Sequence, residues 1–410
     1  MNNLDYLYNA NDARKVFGKN RHVDKQLGFT VLEGATVLPH KHLYVNGNRT
    51  LGLGGLVDRR GEFVKSSFIF RGRGAAYTPT EDVQQSSATV VYLGIFFPVW
   101  GHCLSDNLRR LWFLKSDAFK KYFKDCTPVY ISWNNGAERL GLERQENFRR
   151  LLAALDIDIS RLQAVDRPTK FANVILPDES FFADGDERFF TNEYIDTIDR
   201  ARNFALKNCT PSAEKVYFFY GRNQVGEERL AQYFSAKGYA IVQPERLTLE
   251  AQLNILINAK SFASTLGSCA HNSIFLRDGT DVILIPRSPF KFSWHYQQIF
   301  DGIRNANVRY VDSSLSIFNH IIGPYCFVLS RGLKNFFGDD FDGYADDDLK
   351  TFAQYIKDGL THGLAFSPDA ETYYGATLTE VLTALKRRPD LTAAYGLNLS
   401  LRNVADTCAR

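Results

Sequence analysis

Runs of hydrophobic and polar residues divide the first part of the chain into short strands, one long strand and a helix. From about Phe29 to Phe70 the apolar runs are short and separated by turn signals. These signals are Val45-Asn46-Gly47-Asn48, Gly52 to Gly55 and Arg59-Arg60-Gly61. Pairs such as Asn-Gly favour the positive φ of tight hairpins. The run from Ala88 to Phe97 is continuous and β-branched, which is typical of a buried strand, and the pattern from Gly101 to about Lys115 predicts a helix.

From residue 190 onwards, strand and helix patterns alternate with short loops. The predicted helices are 190–207, a segment through 227–231, and 249–259; the predicted strands are 216–220, 240–242, 261–265, 281–286 and 308–311. This alternation predicts a parallel sheet covered by helices, which holds ligands at the carboxyl ends of its strands. After about residue 330 the pattern is polar and helical, most clearly at 349–360 and 379–387. We therefore predict domains at 1–205 and 206–330, followed by a helical extension at 331–410.

Composition limits the classes of function. Lys and Arg number 49 against 46 for Asp and Glu, a net charge of +3, which argues against a dedicated nucleic-acid binder. No apolar run reaches the about 20 residues of a membrane span, and the N-terminal residues lack the apolar core of a signal peptide. We therefore expect a cytoplasmic protein. The six cysteines are scattered without a CxxC motif, so free thiols are expected in a reducing compartment.

The helix predicted after the long strand carries the first candidate chemistry. On a helical wheel one side is an apolar stripe of Leu104, Leu108, Leu111 and Trp112. His102, Asp106 and Arg109 fall together on the opposite side. A carboxylate there can take the proton of an attacking hydroxyl, while a neighbouring His or Arg tunes it or holds phosphate. An ordinary solvated helix face produces the same pattern, and periodicity alone does not separate these interpretations.

Two features of the second half suit a bound diphosphate. Arg222 directly follows a predicted strand, and its planar fork of donors suits the oxygens of a phosphate group. The alternative is a surface arginine paired with Glu227 or Glu228. Gly267-Ser268 lies between a predicted strand and a helix expected to begin near Asn272, where free backbone amides bind anions. Most such pairs, however, are plain turns.

Further polar residues allow binding and structural interpretations. Glu245 and Glu250 are acceptors that suit the hydroxyl groups of a ligand, although Glu250 is also a favourable charge at a helix N-terminus. His271 and Asn272 suit phosphate or sugar, although Asn also caps helices. We expect His40 and His42 to be surface residues and not metal ligands. Trp294-His295-Tyr296 suits packing in the core at least as well as stacking on a sugar or base. A solvated loop is the favoured interpretation, over cation binding, for the tail residues Asp339, Asp340, Asp342, Asp346, Asp347 and Asp348.

The order of these motifs resembles glycosyltransferase family 61, the DUF563 group, whose bacterial members include capsule and surface-polysaccharide enzymes. The run Gly101-His-Cys-Leu-Ser-Asp-Asn-Leu108 is similar to the family's G-H-F-x-x-D-x-L signature. Further similar segments follow in the same order: Tyr220-Gly221-Arg222, Gly226-Glu227-Glu228, Gln243 to Leu247 with Glu250-Ala251-Gln252, and Leu266 to Phe275. The resemblance covers about residues 28 to 312. The chain differs at the family's His-Gly pair, where His271 directly precedes Asn272, and at Asn223-Gln224 and Gly226. These differences leave the donor open.

The resemblance implies an α/β protein of the GT-B class, with two Rossmann-like domains facing across a cleft and a helical tail. It implies an inverting, metal-independent transfer from a nucleotide-sugar, without another cofactor, to a hydroxyl of a capsule or lipopolysaccharide glycan. A lipid-linked acceptor would bring the enzyme to the inner face of the cytoplasmic membrane. A pyruvyl transferase and a non-catalytic glycan- or nucleotide-binding relative are the alternatives.

Roles for individual residues follow from the same resemblance. Asp106 is the predicted base, because a carboxylate is ionised at neutral pH, and His102 is the alternative base. The acceptor-side residues are Arg109 and Asn107. The donor-side residues are Arg222, Gly267, Ser268, His271, Asn272, Glu245 and Glu250.

Overall fold

The structure is a computed structural model of the chain. It describes residues 21–42, 44–45, 48–49, 52–68, 75–133, 145–184, 187–222, 224–288, 292–319 and 323–397. The predicted Asn46-Gly47 turn and Asn223 lie outside the described residues, as do the side chains of Trp294 and His295. The chain divides into two compact units. The first unit is Asn20–Cys209 with Thr248–Asn254, and the second unit is Thr210–Leu247 with Ile255–Arg410.

The first unit opens with short strands and continues with helices and longer strands. Its strands are β1 (Phe29–Glu33), β2 (Thr36–Lys41), β3 (Tyr44–Val45), β4 (Asn48–Arg49), β5 (Leu53–Val57), β6 (Phe63–Val64), β7 (Gln84–Phe96), β8 (Thr127–Ser132), β9 (Gln163–Ala164), β10 (Thr169–Pro177), β11 (Phe181–Asp184) and β12 (Glu187–Phe190). Its α-helices are α1 (Trp100–His102), α2 (Glu146–Ala154) and α3 (Asn192–Lys207). Shorter 3-10 turns are Lys65–Ser67, Leu111–Lys115 and Ile159–Arg161, and π-helical turns are Cys103–Asn107 and Phe119–Phe123.

The main sheet of the first unit is mixed. Its strand order is β6-β5-β2-β10-β7-β8-β9, and β1 pairs with β10. Strands β10, β7, β8 and β9 run parallel, whereas β1, β2, β5 and β6 are joined by antiparallel pairings. The first unit is therefore an α/β unit with a mixed sheet, whereas a Rossmann-like domain has a mostly parallel one. The hairpins at the start add the antiparallel part, because short strands joined by tight turns pair with their neighbours.

The predicted α-helix from Gly101 to Lys115 is wrong. Only Trp100–His102 is α-helical; a π-helical turn follows at Cys103–Asn107 and a 3-10 turn at Leu111–Lys115. The π-helical turn is held at its end by the side chain of Asn107, which bonds to the backbone of Phe97. Such turns rotate the following residues relative to a regular helix. As a result, the side of the segment predicted to face solvent turns inward at Asp106 and Arg109, which are both buried.

The second unit alternates strands with helices. Its strands are β13 (Lys215–Phe218), β14 (Gln224–Val225), β15 (Ala240–Val242), β16 (Ser261–Thr265), β17 (Asp281–Ile285), β18 (Asn307–Tyr310) and β19 (Tyr325–Cys326). Its helices are α4 (Glu227–Ala236), α6 (Phe292–Asp301), α7 (Arg331–Phe336), α8 (Asp346–Thr361), α9 (Pro368–Lys386) and α10 (Pro389–Ala394), whereas α5 (Leu249–Asn258) begins in the first unit and ends in the second. Two 3-10 turns, Pro244–Arg246 and Ala270–Phe275, complete the element order. Within the described residues, no helix is both long and apolar enough to cross a bilayer.

The sheet of the second unit is parallel, as the alternation predicts. Its order is β15-β13-β16-β17-β18, with every neighbouring pair parallel. Strand order therefore reverses between β13 and β16. In doubly wound sheets such a reversal of strand order marks the place where ligands bind, outside the carboxyl ends of the strands.

The helical C-terminal segment shares a core with the preceding strands and loops. Residues of α8 and α9, such as Phe352 and Leu382, pack in one cluster with Leu315, Phe318 and Cys326. The sequence pattern separated residues 206–330 from 331–410. In the described part of the chain, however, both segments bury their apolar faces against each other and belong to the second unit.

Candidate active site

The carboxyl end of β7 is joined to the π-helical turn by Asn107. The Asn107 side chain is fully buried. Its Oδ1 accepts a hydrogen bond from Phe97 N at 2.9 Å, and its Nδ2 donates to Phe97 O at 3.0 Å. Both backbone groups at the end of the strand are thereby satisfied. Asn107, which the resemblance places on the acceptor side, is therefore a buried connector between strand and turn.

The same turn places His102 against Asp106. His102 Nδ1 lies 2.6 Å from Asp106 Oδ2, and Ser105 Oγ donates to the same oxygen at 2.8 Å. The His102 side chain is 35% exposed, whereas the Asp106 side chain is 1% exposed. A histidine at the surface is thus oriented by a carboxylate beneath it. This is the arrangement by which a general base is held in one orientation and one tautomer.

Asp106 is held as a carboxylate. Burial alone would raise its pKa, but the guanidinium of Arg109 and the hydrogen bonds of His102 and Ser105 outweigh burial, so that the pKa lies below its usual value. Arg109 Nη2 contacts the second carboxylate oxygen, Asp106 Oδ1. Because both oxygens are bonded within the protein, Asp106 is poorly placed to accept a proton from a substrate directly.

A buried chain of alternating charges continues behind Asp106. Arg109 Nη1 donates to Glu179 Oε1 at 2.7 Å, and the same oxygen lies 3.3 Å from Arg110 Nη2. The side chains of Arg109, Arg110 and Glu179 are at most 4% exposed. Arg110 also donates through Nε to Pro177 O at 3.0 Å. Arg109, predicted on the acceptor side, thus neutralises and positions buried carboxylates.

Aromatic rings line the other side of His102. The His102 ring stacks on Phe97 with ring centroids 4.6 Å apart, and Phe97 packs against Trp133 at 4.3 Å. Trp133 in turn stacks on His40 at 4.0 Å. His40 is therefore buried in an aromatic stack and is not the surface residue that we predicted. Flat rings on one side and a carboxylate on the other fix the plane of the His102 imidazole.

In the second unit, Glu227 joins the two strands that flank the reversal of strand order. It is the first residue of α4 and is fully buried. Its carboxylate accepts hydrogen bonds from Gly221 N at 2.7 Å and Tyr220 N at 3.3 Å, after β13, and from Thr265 Oγ1 at 3.2 Å, at the end of β16. Burial raises the pKa of Glu227 and those bonds oppose the increase. Glu227 therefore shapes the sheet edge and does not pair with Arg222.

Arg287 lies at this same edge, two residues after β17. Its Nη2 is 3.4 Å from Thr265 Oγ1. With the Gln224 amide oriented to satisfy both groups, Gln224 Oε1 accepts from Arg287 Nη2 at 3.0 Å. The guanidinium also lies 4.9 Å from the centre of the Tyr220 ring. A cation thus sits at the carboxyl ends of the strands, which is where a parallel sheet holds an anionic ligand.

The turn after β16 differs from the helix N-terminus that we predicted. Ala270–Phe275 is a short 3-10 helix, which carries little of the dipole of a long α-helix. Gly267 and Ser268 are half-buried in the turn. Asn272 is buried and donates to Cys269 O at 3.0 Å, so its side chain closes the turn. His271 Nδ1 lies 2.9 Å from Gln297 Oε1 in the interior.

The remaining donor-side candidates are separated by the fold. Arg222 and Glu245 are exposed residues of the second unit. Glu250 belongs to the first unit, where it lies 3.1 Å from Arg150. Among the residues that the structure describes, no group of three or more His, Cys, Asp or Glu side chains is arranged to hold a metal ion.

Comparison with known families assigns an activity to this architecture. The family model of Glycosyltransferase 61 matches residues 100–283. The chain is a glycosyltransferase. No protein among curated sequences matches it. The matched region of the glycosyltransferase contains the His102–Asp106 pair and extends through β13, β16 and most of β17, but ends before Arg287.

The sequence pattern did not identify two candidate functional residues of the glycosyltransferase, Glu179 and Arg287. Glu179 is 70 positions from Arg109, and no local pattern connects them; only the end of β10 brings Glu179 to the π-helical turn. Arg287 did leave a signal, because it follows a buried strand as Arg222 does. The rule that selected Arg222 applied equally to Arg287.

Proposed function

We propose that this glycosyltransferase transfers a sugar with inversion, with His102 as the general base and Asp106 as the residue that positions it. The observation that carries the proposal is the 2.6 Å contact between His102 Nδ1 and Asp106 Oδ2. Because Nδ1 is bonded to the carboxylate, Nε2 is the ring nitrogen for proton transfer. Of the two candidates for the base, His102 is partly exposed and its ring is held in one orientation, whereas Asp106 is buried.

In the proposed step, the acceptor hydroxyl oxygen attacks the anomeric carbon of the donor sugar. The new C–O bond forms as the bond from the anomeric carbon to the nucleotide diphosphate breaks, and the diphosphate leaves with the electron pair. The hydroxyl proton passes to His102 Nε2. Asp106 stabilises the resulting imidazolium, and Arg109 keeps Asp106 ionised. A single displacement inverts the configuration of the anomeric carbon.

The proposal includes a GT-B arrangement, with the donor bound by the second unit and the acceptor by the first across a cleft. The parallel sheet with reversed strand order in the second unit supports the nucleotide side. Similarity of the 101–108 run to the DUF563 group supports an acceptor in a bacterial capsule or lipopolysaccharide glycan. A nucleotide-sugar is then the co-substrate, with no metal or other cofactor. The reaction would occur in the cytoplasm, at the inner face of the membrane for a lipid-linked acceptor.

A panel of nucleotide-sugars, assayed in chelator for release of the nucleoside diphosphate, tests this proposal. We compare the wild-type protein with His102→Ala, Asp106→Asn and the control His362→Ala, which removes an exposed histidine at the end of α8. We expect His102→Ala to lower turnover about 100- to 10,000-fold, the usual contribution of a general base. Nucleotide binding, followed as an increase in melting temperature, should be unchanged in this variant.

Three results would contradict the proposal. Wild-type turnover by His102→Ala would exclude this histidine as the base. A glycoside product with the anomeric configuration of the donor would exclude a single displacement. The absence of both binding and turnover with every nucleotide-sugar would favour a non-catalytic protein.

A further inference from the structure

We infer that Arg287, with Gly267 beneath it, forms the site that binds the diphosphate of the nucleotide-sugar donor. This inference rests on the proposed function for the identity of the ligand and adds the residue that recognises it. The alternative in the sequence was Arg222, which lies in the same unit but is exposed. The choice between the two arginines depends on charge, packing and place in the sheet.

Arg287 lies across the turn after β16. Gly267 has a φ of +134°, and a Cβ atom placed on it would lie 2.4 Å from Arg287 Nη1. A side chain at this position would have to displace the guanidinium, and the φ of Gly267 is one that other residues rarely adopt. The absence of a side chain at Gly267 therefore lets the guanidinium approach the turn closely. The guanidinium thus lies where the strand order reverses, between β13 and β16.

The guanidinium has neutral partners and spare donors. Its described hydrogen-bond acceptors are the oxygens of Thr265 and Gln224. Its Nε is buried and bonded to no group among the described residues. No described carboxylate lies within ion-pair distance of it. Arg287 is half-buried, and because no described carboxylate is paired with it, it retains a charge and donors that an anion can use.

Glu227, the acid near this site, is not an ion-pair partner of Arg287. The carboxylate of Glu227 is bonded to Gly221 N, Tyr220 N and Thr265 Oγ1. The negative charge of Glu227 reduces the positive potential of the site, but the Glu227 oxygens already accept these three hydrogen bonds. The ring of Tyr220 lies on the guanidinium and that of Tyr325 lies 5.7 Å from it. These rings restrict the fork to one plane, which suits the planar, two-pronged recognition of phosphate oxygens.

Binding of inorganic pyrophosphate, UDP, UMP and inorganic phosphate, measured by calorimetry in chelator, tests the inference. We expect pyrophosphate and UDP to bind the wild-type protein, and Arg287→Gln to weaken both about 10- to 100-fold, as for the loss of one or two charge-assisted hydrogen bonds. Arg287→Lys should lose part of this affinity, because it keeps the charge but not the fork. Arg277→Ala, an exposed arginine at the opposite, amino-terminal edge of the sheet, is the matched control and should bind as wild type.

Gly267→Ala provides an independent variant, because it keeps the arginine and displaces it. We expect it to weaken pyrophosphate binding as Arg287→Gln does. Circular dichroism and melting temperature report whether each variant is folded. If Arg287→Gln does not fold, the affinity of Arg287→Lys for pyrophosphate tests the inference instead. Wild-type affinity in a folded Arg287 variant overturns the inference, as does loss of binding in Arg222→Ala alone or absence of pyrophosphate and UDP binding by the wild-type protein. Failure of the base is seen separately, as turnover retained by His102→Ala with pyrophosphate binding intact.

Discussion

Replacement of Asp301 by Asn should change how the stability of the second unit depends on pH. Asp301, the last residue of α6, accepts hydrogen bonds from Tyr310 Oη at 2.5 Å and Gln297 Nε2 at 2.9 Å. Gln297 also contacts His271, so this network lies behind the turn that begins at Gly267. Burial raises the pKa of Asp301 from 3.8 to about 7, and the two hydrogen bonds only partly oppose the increase.

The sign and magnitude follow from the linkage between proton binding and folding. Because the pKa of Asp301 is higher in the folded state, the folded state binds more protons than the unfolded state between about pH 4 and pH 7. Its contribution to stability is therefore fully present below the unfolded pKa and is lost as the pH rises through the folded pKa. Between pH 5 and pH 8 the group removes about 2–3 kcal/mol from the free energy of unfolding. Asn keeps the shape of the side chain without titrating.

Urea denaturation of the wild-type protein and Asp301→Asn at several pH values between 5 and 8 measures this effect. The difference in unfolding free energy between the two proteins should move by about 2–3 kcal/mol in favour of the variant as the pH increases. Asp278→Asn, which removes the same charge from an exposed position in the same unit, is the matched control. A constant difference between Asp301→Asn and wild type over this range would refute the assignment of a raised pKa.

Three further substitutions test the first unit and the C-terminal core. Asp106→Asn should lower turnover about 100- to 10,000-fold and the free energy of unfolding by about 1–3 kcal/mol, because it removes one of the two carboxylates that pair with the buried Arg109; wild-type turnover would show that the carboxylate does not act through His102. Asn107→Ala should cost about 1–3 kcal/mol in chemical denaturation, since the backbone N–H of Phe97 loses its acceptor and the Phe97 C=O keeps, among the described residues, only the weak thiol donor of Cys103; a smaller cost would mean that water replaces the amide. Gly359→Ala should lower stability by about 1–3 kcal/mol, because its Cβ would lie 1.9 Å from the Phe318 ring; an unchanged melting temperature would show that the ring moves freely.

The fold of the second unit was predictable because its signals are local. A parallel strand covered on both faces is apolar along its whole length, as in Val216–Phe218 and Val282–Ile285. The helices between the strands each carry an apolar side at helical spacing. These patterns need no knowledge of distant residues, so the alternation and the parallel sheet were predicted together.

The mixed sheet of the first unit and the shared C-terminal core were not predictable in this way. Strand β10 pairs in parallel with β7, antiparallel with β2 and antiparallel with β1. Such choices depend on which edges meet in space, which a single strand does not encode. The apolar sides of α8 and α9 predicted helices, but not that the residues around Leu315 and Cys326 would cover them.

The sequence by itself determined that His102 and Asp106 lie together, because residues four apart meet on one side of a helical turn. Only the tertiary structure decided what each can do. Asp106 is buried because the turn that carries it is held in the interior by the ion pairs of Arg109 with Asp106 and Glu179 and by the hydrogen bonds of Asn107 to Phe97. A carboxylate with both oxygens bonded can position a base but is poorly placed to act as one. The same holds for the two arginines: both follow strands, but Arg222 is exposed, whereas Arg287 is packed against a bare glycine and the ring of Tyr220. Burial and hydrogen-bond partners are properties of the folded chain, and they distinguish a residue placed to take part in binding or catalysis from an exposed surface charge.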